Sequence, residues 1–228
     1  TGELSVFLML FLLVFMAAVV GAIVFTEGGQ RRISIQYAKR VVGRKMYGGQ
    51  STHLPLKVNT SGVIPPIFAS SIIMFPATIA QFTTHPWMQN VSAMLTPGTI
   101  VYSLIFIGAI FFFCYFYTAV IFNPVDVADN MKKHGGFVSG IRPGPKTSQY
   151  IDTILSKITF YGAIYLSLVC ILPDYLIKYI NIPFYFGGTS LLIVVGVSLD
   201  TMQQIESHMV MRNYDGFMKK GKLKGRRG

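Results

Sequence analysis

Residues 4–26 read LSVFLMLFLLVFMAAVVGAIVFT and contain no charged side chain over 23 positions. An α-helix of this length extends about 35 Å at 1.5 Å per residue, which exceeds the hydrocarbon core of a bilayer at about 30 Å. The whole chain has the same character, because 52% of its 228 residues are hydrophobic and only 13% are charged. The segment therefore predicts a membrane-spanning helix in an integral membrane protein rather than a soluble domain.

Three further apolar segments follow it along the chain. Residues 62–82 and 99–122 are each long enough to span a bilayer. The segment 158–173 is shorter than these two. It spans a bilayer only if the helix continues to Asp174 or back to Lys157, whose aliphatic side chain can snorkel to the membrane surface. We predict spanning helices for all three.

The last apolar run, residues 189–199, has only 11 residues, which also fits a re-entrant or interfacial segment. The spacing of Met202, Ile205 and Met209 nevertheless continues a helical pattern beyond it. We therefore favour a fifth spanning helix. The five predicted helices are residues 1–26, 62–82, 99–122, 158–177 and 188–207.

The basic residues lie almost entirely in alternate connections. The segments 27–61, 123–157 and 208–228 hold 19 of the 20 Lys and Arg residues, whereas 83–98 and 178–187 hold the one that remains. Basic loops are retained on the cytoplasmic side of a membrane. The three basic segments are therefore predicted to be cytoplasmic and the other two loops periplasmic.

This orientation places the start of the chain outside the cell and its C-terminus in the cytoplasm. Because the sequence begins at Thr1 and has no signal-peptide cleavage pattern, we expect an upstream part that is missing here. Five upstream helices would make a ten-helix protein with two equal halves. The predicted fold class is an all-α integral membrane protein with five transmembrane helices.

No familiar catalytic arrangement is found in the sequence. The histidines are scattered over separate loops without metal-ligand spacing, so no metal or other cofactor is predicted. The segment 140–147, GIRPGPKT, resembles a phosphate loop only superficially, because Pro145 removes a backbone donor. The two cysteines, Cys114 and Cys170, lie in apolar runs and are predicted to be packing residues. We predict that the chain is not an enzyme.

Two other classes of membrane protein remain open at this point. A secondary transporter of inverted repeats would also combine broken helices with an odd-numbered half, and Asp200 is the candidate for ion coupling within a predicted span. Snorkelling or capping is the simpler interpretation of that residue. The second alternative is a membrane anchor or assembly factor with basic docking loops and no pore.

The predicted helix 62–82 contains several residues that disturb a regular helix. Pro65, Pro66 and Pro76 are each expected to weaken helical hydrogen bonding, while Ser70 and Ser71 can satisfy freed backbone groups or reach a neighbouring helix. The alternatives are an ordinary kinked helix and a helix that hinges.

The basic loops beside this helix fit a docking surface for an acidic protein or RNA phosphates.

Three stretches of the sequence are distinctive: residues 50–80 (QSTHLPLKVNTSGVIPPIFASSIIMFPATIA), 122–144 (FNPVDVADNMKKHGGFVSGIRPG) and 183–200 (PFYFGGTSLLIVVGVSLD). They closely resemble the C-terminal half of the SecY family of protein-conducting channel subunits. The resemblance continues from the first helix to the basic tail. It implies that the five helices are transmembrane helices six to ten of a ten-helix SecY-type channel.

The resemblance also implies roles for residues of the membrane region. Ile67 and Ile193 match the hydrophobic pore ring, which seals around a translocating chain by apolar contact and dewetting. Phe75 matches the lateral gate, and helix 62–82 would be the gate helix. Its prolines and serines (Pro65, Pro66, Ser70, Ser71) would let the gate part without exposing much polar backbone to lipid.

The two large basic loops resemble the family's docking surface for the SecA motor or the ribosome and its RNA. Arg142 matches the arginine needed for SecA-dependent work, and the first loop supplies further candidate docking residues: Arg31, Arg32, Lys39, Arg40, Arg44 and Lys45. The implied function is Sec-pathway export of unfolded preproteins bearing signal peptides and lateral release of transmembrane segments into lipid. The implied partners are the N-terminal half of SecY, SecE and SecG, and the implied location is the bacterial inner membrane.

Overall fold

The computed structural model describes residues 6–37, 40–42, 45–47, 51–82, 85–180 and 187–220. This part of the chain is mostly helical. The helices are α1 (Val6–Glu27), α2 (Ile64–Phe82), α3 (Pro86–Met94), α4 (Ile100–Ile121), α5 (Pro124–Lys133), α6 (Pro145–Ile180) and α7 (Gly188–Lys220). The strands are β1 (Gln30–Tyr37), β2 (Arg40–Val42), β3 (Lys45–Tyr47), β4 (Ser51–Lys57) and β5 (Gly136–Val138).

Three stretches of helix are long and apolar enough to cross a membrane among the described residues. They are Leu10–Glu27 in α1, Ile100–Lys133, which takes in α4 and α5, and Pro145–Tyr179 in α6. Ile64–Ala80 in α2 is a shorter apolar helix. Helix α7 is not among them, since Asp200, Gln203 and Gln204 interrupt its apolar character. The prediction of a helical, apolar architecture is confirmed, while the crossing by α7 stays a prediction.

Helices α2, α4, α6 and α7 pack around one apolar core, to which α1 adds Ile23. Small side chains recur in this core, including Ala69, Cys114, Ala163 and Cys170. Within lipid the driving force between helices is close van der Waals packing, which small residues permit. The two cysteines are buried and free, as their apolar surroundings in the sequence predicted.

Helix α6 is much longer than the predicted span 158–177. It begins at Pro145, and its first half buries Ile151, Ile154 and Ile158 while Asp152 and Lys157 are exposed. A search for charge-free runs misses such a helix, because its apolar residues occupy only one face. Helix α5 lies in the same connection and was missed for the same reason.

The two large basic connections form one folded unit rather than separate loops. Strand β1 pairs antiparallel with β4 on one side, where Ile33 faces Leu54, and with β5 on the other, where Ile35 faces Val138. Ile33, Ile35, Leu56 and Val138 pack against Met131 of α5 and the buried isoleucines of α6. The sheet was not predicted, since apolar alternation in β1 is short and is limited to Ile33, Ile35 and Tyr37.

Candidate functional site

Helix α2 differs from its prediction at its proline residues. Pro65 and Pro66 are buried within the first turn, where the backbone N–H groups have no partner inside the helix in any case. They therefore start the helix rather than weaken it, and the prediction that each disturbs it is wrong. Pro76 alone lies in the helix interior, where it removes a backbone hydrogen bond.

The two serine residues of α2 form hydrogen bonds within their own helix. The hydroxyl groups of Ser70 and Ser71 donate to the Ile67 carbonyl oxygen at 2.9 and 2.8 Å. Within the described residues, both hydroxyl groups bond to the backbone of their own helix and not to a neighbouring helix. The hydroxyl donors are thus satisfied without a partner chain, which suits a helix face that borders lipid.

A small network of polar side chains holds the beginning of α2. The Asn59 amide nitrogen donates to Glu27 Oε1 at 2.6 Å and to the Gly62 carbonyl oxygen at 3.1 Å. The Ser61 hydroxyl lies 3.2 Å from Asn59 Oδ1 and 3.7 Å from Cys114 Sγ. Asn59 and Ser61 are buried, and Gly62 has a positive φ of 64° that favours glycine. The network joins the end of α1 to α2 and α4.

A cavity of about 320 Å³ with both polar and apolar lining residues lies beside this network. The start of α2 and the middle of α7 both line it, and its charged residues are Glu27, Lys57 and Asp200. Asp200 is exposed at this site. Within the described residues, no group of three or more His, Cys, Asp or Glu side chains is arranged to hold a metal ion.

The two predicted pore residues, Ile67 of α2 and Ile193 of α7, both lie near a contact that involves the segment before α2. Val63, the residue before α2, approaches α7 at Gly196, where a Cβ built on Gly196 lies 3.4 Å from Val63 Cγ1. Ile67 follows Val63 by four residues and Ile193 precedes Gly196 by three, so each lies about one helical turn from that approach. Both side chains are more than one-third exposed, at 39% and 37%.

The predicted gate residue Phe75 lies two turns beyond Ile67 on α2. Its side chain is 68% exposed, and neighbouring apolar residues of the same helix, Ile72 and Met74, are exposed as well. This face of α2 has no partner among the described residues. An extended apolar surface of this kind marks a contact with lipid or with another chain.

The predicted docking residues are distributed over the sheet unit. Arg31 and Arg32 are exposed on β1, and Arg142 is exposed in the connection between β5 and α6. Arg40 and Lys45 belong to the paired strands β2 and β3. Lys39 and Arg44 lie outside the described residues. The pairing of β1 with β5 brings the first and second basic connections together.

The connection that carries Arg142 has a tightly turned backbone. The Ile141 N–H donates to the Val138 carbonyl oxygen at 3.0 Å, and Gly140 within this turn has a φ of 82°. Gly144, two residues after Arg142, has a φ of 116°. Both values lie in the region that glycine tolerates best. The glycines on either side of Arg142 therefore meet a backbone requirement.

Three features of the site escaped prediction from sequence. They are the polar network on Asn59, the sheet shared by both basic connections, and the packing of α7 on α6 at Gly188, where an added Cβ would lie 2.5 Å from the Cys170 Cα atom. Each depends on residues far apart in the chain. The one usable signal was the cluster of small polar residues in 59–62, NTSG, directly before an apolar helix, which is typical of a helix start.

Apolar helices around one core, with a folded basic unit at one end, define a polytopic helical membrane protein. Two solved structures share this fold: one of a protein-conducting channel (TM-score 0.60) and one concerning the plug domain of the SecY protein (TM-score 0.61). Each is 16% identical to this chain and covers 87% of it, over 49% of the solved chain.

The chain belongs to the SecY family, whose model matches residues 1–202. It is 50% identical to the protein translocase subunit SecY of Vibrio cholerae over 231 residues and to that of Escherichia coli K12 over 228 residues. The subunit from Thermotoga maritima is 46% identical over 226 residues. The chain spans about half the length of these relatives, with 52% of each covered.

Proposed function

We propose that this chain forms one half of a protein-conducting channel for unfolded preproteins bearing signal peptides. The observation that carries the proposal is the placement of Ile67 and Ile193, two exposed branched apolar residues that each lie about one helical turn from the contact between Val63 and Gly196. A ring completed by apolar residues of the other half would close around a polypeptide by contact alone. A narrow apolar ring also excludes water and ions, because it dewets.

Helix α2 serves as the gate helix in this proposal. Its exposed apolar face, with Phe75, contacts the other half when the gate is closed and faces lipid or a transmembrane segment when it is open. The Ser70 and Ser71 hydroxyls remain bonded to the Ile67 carbonyl in either state, so parting leaves no unpaired donor in lipid. The network on Asn59 holds the end of α2 that lies beside the cavity.

The basic sheet unit is the docking surface for the energy source, either the SecA motor or a ribosome with its RNA. The exposed Arg31, Arg32 and Arg142 offer guanidinium groups, which bind carboxylates and phosphates in a bidentate manner. The proposed location of the chain is the bacterial inner membrane, with the five-span topology given above and with this unit and the C-terminus in the cytoplasm. Its partners would be the N-terminal half, SecE, SecG and lipid, and its role is conduction rather than catalysis.

Polar substitution of the proposed ring tests the pore directly. In the complete channel, replacing Ile67 and Ile193 together by Asn should raise ion leak through reconstituted membranes by about tenfold, which corresponds to a barrier lower by about 1.4 kcal/mol. The reason is that amide side chains let water enter the constriction. Planar-bilayer conductance is the measurement, and Leu104→Asn on α4, 65% exposed, is the control. Equal conductance in the two variants would remove the ring assignment.

A further inference from the structure

We propose that Thr147 is a positioning residue that holds Arg142 in the orientation required for docking of the SecA motor. The inference rests on the proposed function, because it concerns the same docking surface. The Thr147 hydroxyl donates to the Arg142 carbonyl oxygen at 3.0 Å, across five residues of chain. Thr147 itself is only 2% exposed, so it cannot contact a docking partner directly.

Thr147 connects the loop to the first turn of α6. Its backbone N–H donates to the Gly144 carbonyl oxygen at 2.9 Å, and its side chain reaches past Gly144 to Arg142. Four residues further along the helix, Ile151 is fully buried in the core below the sheet. The hydroxyl that bonds Arg142 therefore belongs to a residue anchored in a packed helix.

The other side of Arg142 is held by the sheet. Ile141 packs against the same apolar cluster, and its N–H is bonded to Val138 of β5. Strand β5 in turn pairs with β1. Arg142 thus lies between two fixed points, one in the sheet and one in α6, while its side chain is exposed. A guanidinium group on a fixed backbone loses less conformational entropy on binding than a guanidinium group on a mobile loop.

The hydroxyl group is the part of the Thr147 side chain that acts on Arg142. A valine has the same branched shape but lacks the hydroxyl, so the change from Thr147 to Val removes this hydrogen bond while nearly keeping the side-chain volume. The one hydrogen bond that the Thr147 side chain donates within the described residues goes to Arg142. Its use is therefore to fix the backbone that carries the guanidinium.

The test compares Thr147→Val and Thr147→Ser in the complete membrane-embedded channel, with Arg142 intact and in an Arg142→Ala background. The concentration of SecA that gives half-maximal preprotein translocation is measured in each. With Arg142 intact, the Val variant should raise this concentration about fivefold, as expected for loss of one hydrogen bond, whereas Ser should restore it. In the Arg142→Ala background, the Val substitution should cause no further change.

Two outcomes would overturn the role of Thr147. One is an unchanged SecA requirement for Thr147→Val with Arg142 intact, and the other is an equal loss in both backgrounds, which indicates a merely structural effect. If Arg142→Ala alone leaves the SecA requirement unchanged, the docking role in the proposed function fails instead. Should Thr147→Val not fold, Thr147→Ala against Thr147→Ser makes the same comparison.

Discussion

Replacement of Arg142 by Glu is expected to abolish SecA-driven translocation, with a fall in rate of at least about 100-fold. The exposed guanidinium is the cationic group at the centre of the tightly turned connection between β5 and α6. An acidic partner that meets a carboxylate there experiences repulsion, and like-charge contacts at an interface cost several kcal/mol. Translocation of a preprotein into vesicles by purified SecA measures the effect.

The control for this variant is Lys146→Glu, four residues away and also exposed. It makes the same change in net charge without altering the turned connection, so we expect a fall smaller than about tenfold. Both variant proteins should insert into the membrane in normal amounts, because neither residue contacts the apolar core. Normal export by Arg142→Glu, or equal loss in both variants, would remove the special role of Arg142.

Gly188→Val is expected to prevent stable packing of α7 on α6. A Cβ built on Gly188 lies 2.5 Å from the Cys170 Cα atom and 2.6 Å from the carbonyl oxygens of Cys170 and Val169. These are backbone atoms of a packed helix, so they cannot rotate away as a side chain could. The helices must separate, at a cost of about 3 kcal/mol or more. Ile193, five residues along α7, moves with it.

Gly108→Val is the matched control, because Gly108 lies within α4 and a Cβ there meets nothing within 4 Å. Both variants introduce the same β-branched residue into an apolar helix. Thermal unfolding of the purified complete channel in detergent, followed by protease resistance, should show a large loss for Gly188→Val and little change for Gly108→Val. Equal melting temperatures would show that the approach of α7 to α6 is less tight than these distances indicate.

The apolar helices were predictable because a membrane span needs nothing more than length without charge. The predicted helix 99–122 matches α4, which is Ile100–Ile121, to within one residue at each end. Thr99 caps the start of the helix, because its side chain accepts a hydrogen bond from the Tyr102 N–H. Its far end is set by Asn123 and Pro124, which start α5. Local signals of this kind are readable in the sequence.

The packing and the polar end of the molecule were not predictable. The Glu27 side chain meets Asn59 across 32 residues, and Ile35 pairs with Val138 across about 100 residues of chain. The local sequence around each of these residues does not indicate which distant residue it will contact. In the sequence, Gly188 beside Gly187 indicates only a turn. The structure shows that a side chain at Gly188 would clash with the backbone of α6.

The pore residues were named through family resemblance and not from periodicity. Ile67 is one of many apolar residues in α2, and its exposure resembles that of Ile79, at 39% against 38%. What distinguishes it is that Ile67 and Ile193 each lie about one helical turn from the contact between Val63 and Gly196. That relation is a property of the tertiary structure.

Site-specific photo-crosslinking of a stalled secretory chain tests the central claim most directly. In the complete channel, a photoreactive residue is placed at Ile67, Ile193 or Phe75, and in separate proteins at Phe7 or Leu13 of α1, which are 81% and 72% exposed. A polypeptide held in the pore should crosslink at the first three positions and not at the α1 positions. Crosslinks confined to Phe7 and Leu13 would contradict the assignment of this chain as half of a protein-conducting channel.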